Sequence, residues 1–299
     1  MRESKSVQRI TEKRNQKSME IDKLETEDML KVINQEDYRV AEAVEEVIGD
    51  ITKVVEEIVS RFKNNGRLFY VGAGTSGRLG VLDAVECKPT FSINSGRIEG
   101  ILAGGKDAMF EAKENVEDSE ELGKEEIVKR EINKDDTVIG VAASGKTPFV
   151  LGAIREARRR GAYTVSLVCS ENSILEEETE DAVVPIVGPE VLTGSTRMKA
   201  GTAQKMVLNM ISTTVMIKLG KVYSNLMVDV NASNSKLKER AENIFGIITG
   251  GDRETARKYL EDADFNVKQA IVMYEKGVES KKAEKLLAEN DGLLRAIID

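Results

Sequence analysis

The 299-residue chain contains no histidine, no tryptophan and only two cysteines. The missing histidine excludes most. It removes Ser-His-Asp and Cys-His nucleophile systems, imidazole-ligated zinc, and the one side chain whose ordinary pKa lies near neutrality. Proton transfer therefore falls to carboxylates, Lys, Tyr or Cys. Cys87 and Cys169 are too few for a disulfide framework and too far apart for a paired-cysteine metal site, so both read as reduced thiols. No apolar run approaches the ~18 residues of a membrane span. The opening Met1-Arg2-Glu3-Ser4-Lys5-Ser6 has no apolar segment of the secretory kind, and the expected location is the cytoplasm. A net charge of −8 disfavours a nucleic-acid partner, because phosphate contacts need clustered cations. The basic scatter Arg9, Lys13, Arg14 and Lys17 is interrupted by Glu12 and reads as a solvated arm.

What is present fits a folded chain. Hydrophobic residues make up 40% and glycine occurs 24 times, and the length allows one large α/β domain with a small appendage. Residues 1–37 are polar and form an expected N-terminal arm. From Tyr38 a helical periodicity begins: Val40, Val44, Val47, Ile48, Ile51, Val54, Val55, Ile58 and Phe62, ended by Asn64-Asn65-Gly66. The apolar run Leu68–Val71 then enters the loop Gly72-Ala73-Gly74-Thr75-Ser76-Gly77, a strand meeting a glycine-rich turn. The pattern repeats with Thr137–Ala142 and Ala143-Ser144-Gly145-Lys146-Thr147-Pro148. A helix near 149–160 and strands at Thr164–Cys169 and Ala182–Val187 follow. Strands alternating with helices predict a doubly wound parallel sheet, flanked by helices on both faces. A third polar loop, 188–199, precedes a long apolar helix from Gly201 to Leu219, whose Met206, Val207, Met210, Val215 and Met216 read as core. After Gly250-Gly251-Asp252 the pattern predicts three short amphipathic helices to the C-terminus.

Three loops rich in Gly, Ser and Thr thus follow strand ends, where open parallel sheets place ligands. Each offers hydroxyls and backbone N–H groups to an anion, and a helix N-terminus adds favourable partial charge. Phosphate binding is the natural inference; the plainer alternative is that these residues only cap helices and form turns. Gly72, Gly74 and Gly77 also match G-x-G-x-x-G, with Glu99 near the position of a ribose-binding acid. Thr75 and Ser76 in its variable positions suit a phosphomonoester better than a pyrophosphate.

Three stretches carry a resemblance: VGAGTSGRLGVLDAVECKPTF at 71–91, AASGKTP at 142–148, and GPEVLTGSTRMKAGTAQKMVLNMISTTVMIKLGKVYSNLMVDV at 188–230. They closely resemble the N-acetylmuramic acid 6-phosphate etherases of the SIS (sugar isomerase) superfamily. The resemblance begins near Thr11 and runs into the C-terminal tail, which is similar to the family's small UBA-like helical domain. It implies an SIS phosphosugar-binding catalytic domain over 38–247 and a three-helix UBA-like domain over 248–299. The implied reaction cleaves the C3 lactyl ether of N-acetylmuramic acid 6-phosphate, giving N-acetylglucosamine 6-phosphate and D-lactate, without metal or organic cofactor.

By the same resemblance, Glu86 is the acid that protonates departing lactate and Glu117 the base at C2. Without it, neither could be selected from the chain's many carboxylates. Thr75, Ser76, Ser144, Thr147, Ser195 and Thr196 are the expected phosphate or sugar contacts. Arg78 and Arg197 are candidates for neutralising phosphate or the lactyl carboxylate, since guanidinium suits bidentate oxyanions; each is equally readable as an internal ion-pair partner. Cys87 reads as a small buried hydrophobe. Two positions depart from the family pattern: Lys88 stands where proline is commoner, placing a cation near Glu86, and Lys146 where arginine is usual. SIS relatives imply a homodimer with the site at or near the subunit interface. Two other functions share this architecture, a non-catalytic phosphosugar-binding regulator like the glucokinase regulatory protein and an aldose–ketose phosphosugar isomerase.

Overall fold

A computed structural model describes residues 10–111, 113, 115–230 and 234–299; Arg9 and the opening hexapeptide lie outside them. The elements are α1 (Thr26–Glu46), α2 (Ile48–Lys63), β1 (Leu68–Gly72), α3 (Gly74–Phe91), β2 (Ile98–Leu102), α4 (Glu120–Lys129), β3 (Thr137–Val141) and α5 (Pro148–Arg159). They continue with β4 (Tyr163–Leu167), the single turn α6 (Ile174–Glu177), β5 (Asp181–Val183), α7 (Lys199–Lys218), α8 (Ser235–Thr249), α9 (Arg253–Asp262), α10 (Val267–Lys276), α11 (Ser280–Glu289) and the turn α12 (Arg295–Ile298). Two compact units emerge: one runs through Ala84 and resumes over Gly96–Ile211, the other combines Val85–Ser95 with Ser212–Asp299.

In the first unit five parallel strands lie in the order β2-β1-β3-β4-β5. Leu68 pairs with Ile98 on one side and Thr137 on the other. Successive residues of β1 face opposite ways, as the pleat requires. Phe69 and Val71 join a core with Ile127 of α4 and Phe149, Val150 and Ile154 of α5. Tyr70 faces α3, where a Cβ added to Gly80 would stand 2.8 Å from the Tyr70 Cβ. Helices therefore cover both faces, and β1, β3 and β4 are buried throughout. The strand at Ile98–Leu102 was not among the sequence expectations. It is an edge strand whose Glu99 and Gly100 are only half buried, so its hydrophobic signal is short.

α4 and α5 approach more closely than side chains permit. A Cβ on Gly123 would lie 1.9 Å from the Phe149 carbonyl oxygen, and one on Gly152 2.0 Å from that of Glu120. Both obstacles are backbone, so these two glycines set the helix spacing. That spacing holds the segment before α4 against the start of α5.

The helical pattern expected from Tyr38 starts earlier, at Thr26, and breaks at Val47 into α1 and α2. The preceding segment is a docked strap and not a free arm. Lys13 and Arg14 are exposed, and Lys17 is exposed along its stem while its ammonium reaches Glu36, but Thr11, Asn15 and Ser18 are buried. The Thr11 carbonyl accepts the Gly194 N–H (3.2 Å), Asn15 donates to the Pro189 carbonyl (3.1 Å), and the Ser18 hydroxyl donates to that of Val191 (2.7 Å). Hydrophobic patterning could not announce such docking, because polar groups make it. Beneath the strap Glu36 (0% exposed) meets Lys199 (0% exposed). Its Oε2 lies 2.5 Å from Lys199 Nζ and 2.7 Å from Asn15 Nδ2, and its Oε1 3.0 Å from Lys17 Nζ. Burial alone raises a carboxyl's pKa; here the bonds from Lys199, Lys17 and Asn15 outweigh it and hold Glu36 at about 2.

The second unit is helical. Asn234, Asp252 and Asn266 cap α8, α9 and α10 through their side chains, and Gly250 and Gly277 end α8 and α10 with φ of 73° and 60°. α9, α10 and α11 are the three expected tail helices; α8 was not expected. Phe245, Tyr259 and Tyr274 form an aromatic cluster with centroids 5.4–5.9 Å apart. Lys268 is buried beside Asp229 (3.0 Å) and also donates to the Gly292 carbonyl (3.1 Å).

Two stability measurements follow. Gly123→Ala should cost about 1–3 kcal/mol in denaturant unfolding despite a helix-propensity gain of ~1 kcal/mol. At Gly49 of α2 nothing lies within 4 Å of an added Cβ, so Gly49→Ala should stabilise by about 0.5–1 kcal/mol; equal effects at both sites would refute the contact. The Glu36 carboxylate is held below its unfolded value of 4.5, so its contribution is present above that pH and lost as pH falls through about 2. Wild type should exceed Glu36→Gln by roughly 3 kcal/mol near pH 7, a difference that closes on acidification. A gap constant with pH would show that Glu36 is not ionised in the fold.

Candidate active site

β1 and β3 are neighbours, yet the chain leaves β1 to build β2 on the opposite side. A strand order of 2-1-3-4-5 places the topological switch point between the C-terminal ends of β1 and β3, where open α/β sheets receive ligands. Loops 72–77 and 142–148 leave these two strand ends.

The first loop is closed by its own backbone. A Cβ on Gly72 would lie 2.6 Å from Gly77 N, and one on Gly77 2.4 Å from Gly72 O. Gly74 has a φ of 51°, where a side chain is disfavoured. The first intrahelical bond of α3 runs from Gly77 N–H to the Ala73 carbonyl (3.1 Å), so the N–H groups of Thr75 and Ser76 precede it. Such orphan donors at the positive end of a helix dipole receive anions.

In the second loop Gly145, at φ 63°, packs where a Cβ would meet Ser173 Oγ at 2.4 Å. Thr147 is the N-cap of α5, with Pro148 following, but its hydroxyl makes no cap bond. The hydroxyls of Ser144 and Thr147 have no partner among the described residues and are half buried. Glu117 stands beside this loop because the Phe149 N–H donates to its carbonyl at 3.0 Å; its side chain is exposed. Ser119 then caps α4, accepting from Leu122 N–H. The glycine-spaced contact of α4 with α5 therefore positions a carboxylate that is far from the loop in sequence.

The third loop, 188–198, is gripped by the strap at Pro189, Val191 and Gly194. Glu190 (1% exposed) accepts the N–H groups of Lys199 (3.0 Å) and Ala200 (2.9 Å). Burial pushes its carboxyl above the usual range, against the lowering effect of these bonds. Ser195 and Thr196 are half buried and Arg197 exposed. No described residue pairs with the Arg197 guanidinium or with either hydroxyl. The first loop also meets the start of α7, which follows the third loop: an added Cβ on Gly201 would touch Thr75 Cγ2 at 3.5 Å, and Ser76 Oγ donates to Gln204 Oε1 at 2.9 Å.

Of the expected binding residues, Thr75, Ser76, Ser144, Thr147, Ser195, Thr196 and Arg197 lie on these three loops. Arg78 is engaged elsewhere. Its guanidinium donates to the carbonyls of Ala108 (3.0 Å), Met109 (3.3 Å) and Glu111 (3.3 Å), holding the turn after β2. Glu86, in the other unit, is exposed on α3, and its carbonyl accepts the Thr90 hydroxyl (2.8 Å). Lys88 donates to Ser95 Oγ (2.9 Å). Cys87 and Cys169 are buried, and burial pushes the Cys169 thiol up to about 12, which makes it inert as a nucleophile. Sequence reasoning missed Glu36, Glu190, Lys199 and Gln204. The last three lie within the quoted stretch 188–230, but neither residue type nor spacing singles them out there, and Glu36 sits inside an ordinary helical pattern.

Comparison with known proteins agrees with this geometry. The glucokinase regulatory protein N-terminal SIS domain matches residues 50–158, the SIS domain 107–214 and a UBA-like domain 245–274. The N-acetylmuramic acid 6-phosphate etherase of Bacillus subtilis is 51% identical over 100% of this chain and 99% of its own. That of Caldanaerobacter subterraneus is 53% identical over 97% of this chain and 94% of its own. A third, from Clostridium beijerinckii, is 52% identical over 95% and 93%. With half the residues identical across essentially the whole length, SIS sheet and helical tail alike, the chain belongs to the N-acetylmuramic acid 6-phosphate etherase family.

Proposed function

We propose that the protein cleaves the C3 lactyl ether of N-acetylmuramic acid 6-phosphate, releasing D-lactate and N-acetylglucosamine 6-phosphate. One observation carries the reading beyond family membership: Glu117 is held by backbone beside the switch-point loop that bears Ser144 and Thr147. The phosphate occupies the hydroxyl-lined loops, with N–H groups at the start of α3 as additional donors. Arg197 neutralises an oxyanion of phosphate or of the lactyl carboxylate; Arg78 supports the site by holding the turn after β2.

In the ring-opened sugar the C1 aldehyde acidifies the C2 proton, and the C3 ether oxygen lies β to it. The Glu117 carboxylate takes that proton, the C2=C3 bond forms as C3–O breaks, and the Glu86 carboxylic acid protonates the departing lactate. Water then adds across the unsaturated aldehyde, its oxygen to C3 and a proton to C2. Neither histidine nor redox change is required. An acid working near neutral pH needs a carboxyl pKa above its ordinary ~4.3, whereas both glutamates are exposed in the single chain. Leu82 (42% exposed) and Val85 (62% exposed) precede Glu86 by four residues and one on α3. This apolar pair supports a homodimer in which a second copy covers the helix face.

Residues 38–247 are read as the catalytic SIS domain, 248–299 as the UBA-like domain, and 1–37 as the strap-bearing arm. The cytoplasm is the proposed location; no helix of the described residues is long and apolar enough to cross a membrane.

D-lactate release from N-acetylmuramic acid 6-phosphate tests the activity. None at micromolar enzyme would sink it and leave the regulator or isomerase readings. Glu86→Gln and Glu117→Gln should each lower turnover at least ~100-fold; near-normal turnover removes that residue from the mechanism. Light scattering should report twice the monomer mass, and a concentration-independent monomer would overturn the dimer.

A further inference from the structure

Gln204, on the second turn of α7, is fully buried, and its position in the site is chemically incomplete. Its Oε1 accepts the Ser76 hydroxyl at 2.9 Å, while its Nε2 is buried without a partner. A buried amide nitrogen lacking a hydrogen bond is costly, about 1–3 kcal/mol. The arrangement also misdirects Ser76. A hydroxyl has one proton; given to Gln204, it leaves only lone pairs to face a phosphate oxygen, which itself only accepts.

Rotating the Gln204 amide by half a turn about its terminal bond resolves the second problem and leaves the carbonyl oxygen, in place of the N–H groups, at the unpartnered position. Nε2 then takes the place of Oε1 at hydrogen-bond distance from Ser76 Oγ and becomes the donor. The Ser76 hydroxyl proton is released to point at the anion. The neighbouring Thr75 methyl and the absence of a side chain at Gly201 keep this part of α7 close to the loop, so the amide and the hydroxyl stay in register.

We propose that Gln204 is a positioning residue for the sugar phosphate: its amide turns on binding and sets the Ser76 hydroxyl as a donor. The proposal rests on the reading of Ser76 as a phosphosugar contact. Free amide orientation is the device, since the glutamine amide presents a donor or an acceptor at the same point with no change of protonation.

The test is calorimetric titration of the full-length protein with N-acetylglucosamine 6-phosphate, comparing each variant's Kd with wild type at the same pH so that the ligand's own ionisation cancels. Gln204→Glu presents only acceptors when ionised, and should weaken binding at least ~10-fold near pH 8. Near pH 5 a carboxyl raised by burial regains a proton to donate, and the ratio should fall to within about threefold. Gln204→Met, which fills the space without a donor and covers the case of a misfolded glutamate variant, should lose several-fold at both pH values. A merely structural role would not give the glutamate variant this pH-dependent recovery. Gln204→Met binding as wild type does, or a Gln204→Glu ratio unchanged between the two pH values, overturns the proposal. A wild type that binds no sugar phosphate at millimolar concentration overturns the phosphosugar reading and the role of Gln204 with it.

Discussion

The architecture of the site depends on one topological constraint, the divergence of the chain at the C-terminal end of β1. β2 forms on one side of β1 and β3 on the other, so the connections part and leave a crevice that no crossover helix fills. The loops 72–77 and 142–148 leave from its rim. Glycine makes the attachment possible. Gly72 and Gly77 bring backbone to backbone where any Cβ would collide, which turns the chain from strand to helix within a few residues and leaves helical N–H groups facing outward.

A second dependence is electrostatic. The third loop has no sheet hydrogen bonds of its own to hold it, and its shape comes from buried polar partners. Glu190 satisfies two donors at the start of α7, while Lys199 anchors to Glu36 under the strap. Burying these charges is expensive, and such pairs often add little net stability against apolar replacements. Their value here is geometric: an ion pair with Asn15 and Lys17 closing around Glu36 permits few arrangements, whereas an apolar contact would let the loop slide. The N-terminal segment thereby helps to shape the third loop although it touches none of the expected catalytic residues.

The two glutamates proposed as acid and base are held differently. Glu117 is fixed by packing, since its carbonyl completes the first turn of α5 and the paired glycines of α4 and α5 set the distance. Glu86 is fixed only by the helix that bears it, with its carboxylate in water. The absence of histidine makes this difference consequential, because a carboxylic acid acquires a useful pKa from its surroundings and not from its own chemistry.

Much was legible in the chain itself. The loops 72–77 and 142–148, the alternation of strands and helices, the three tail helices and the long apolar helix are local properties, written in glycine placement and in periods of two and 3.6 residues. The glutamates were legible only through resemblance, since an isolated acidic residue carries no local mark of catalysis. What tertiary structure alone decided was partnership: that Arg78 spends its donors on the turn after β2, that a polar N-terminal stretch is buried, that Lys199 lies inside, and that Gln204 faces Ser76. Each joins residues tens to more than a hundred positions apart through hydrogen bonds. Hydrophobic periodicity records which side of an element is buried, but it is blind to which polar atoms burial brings together.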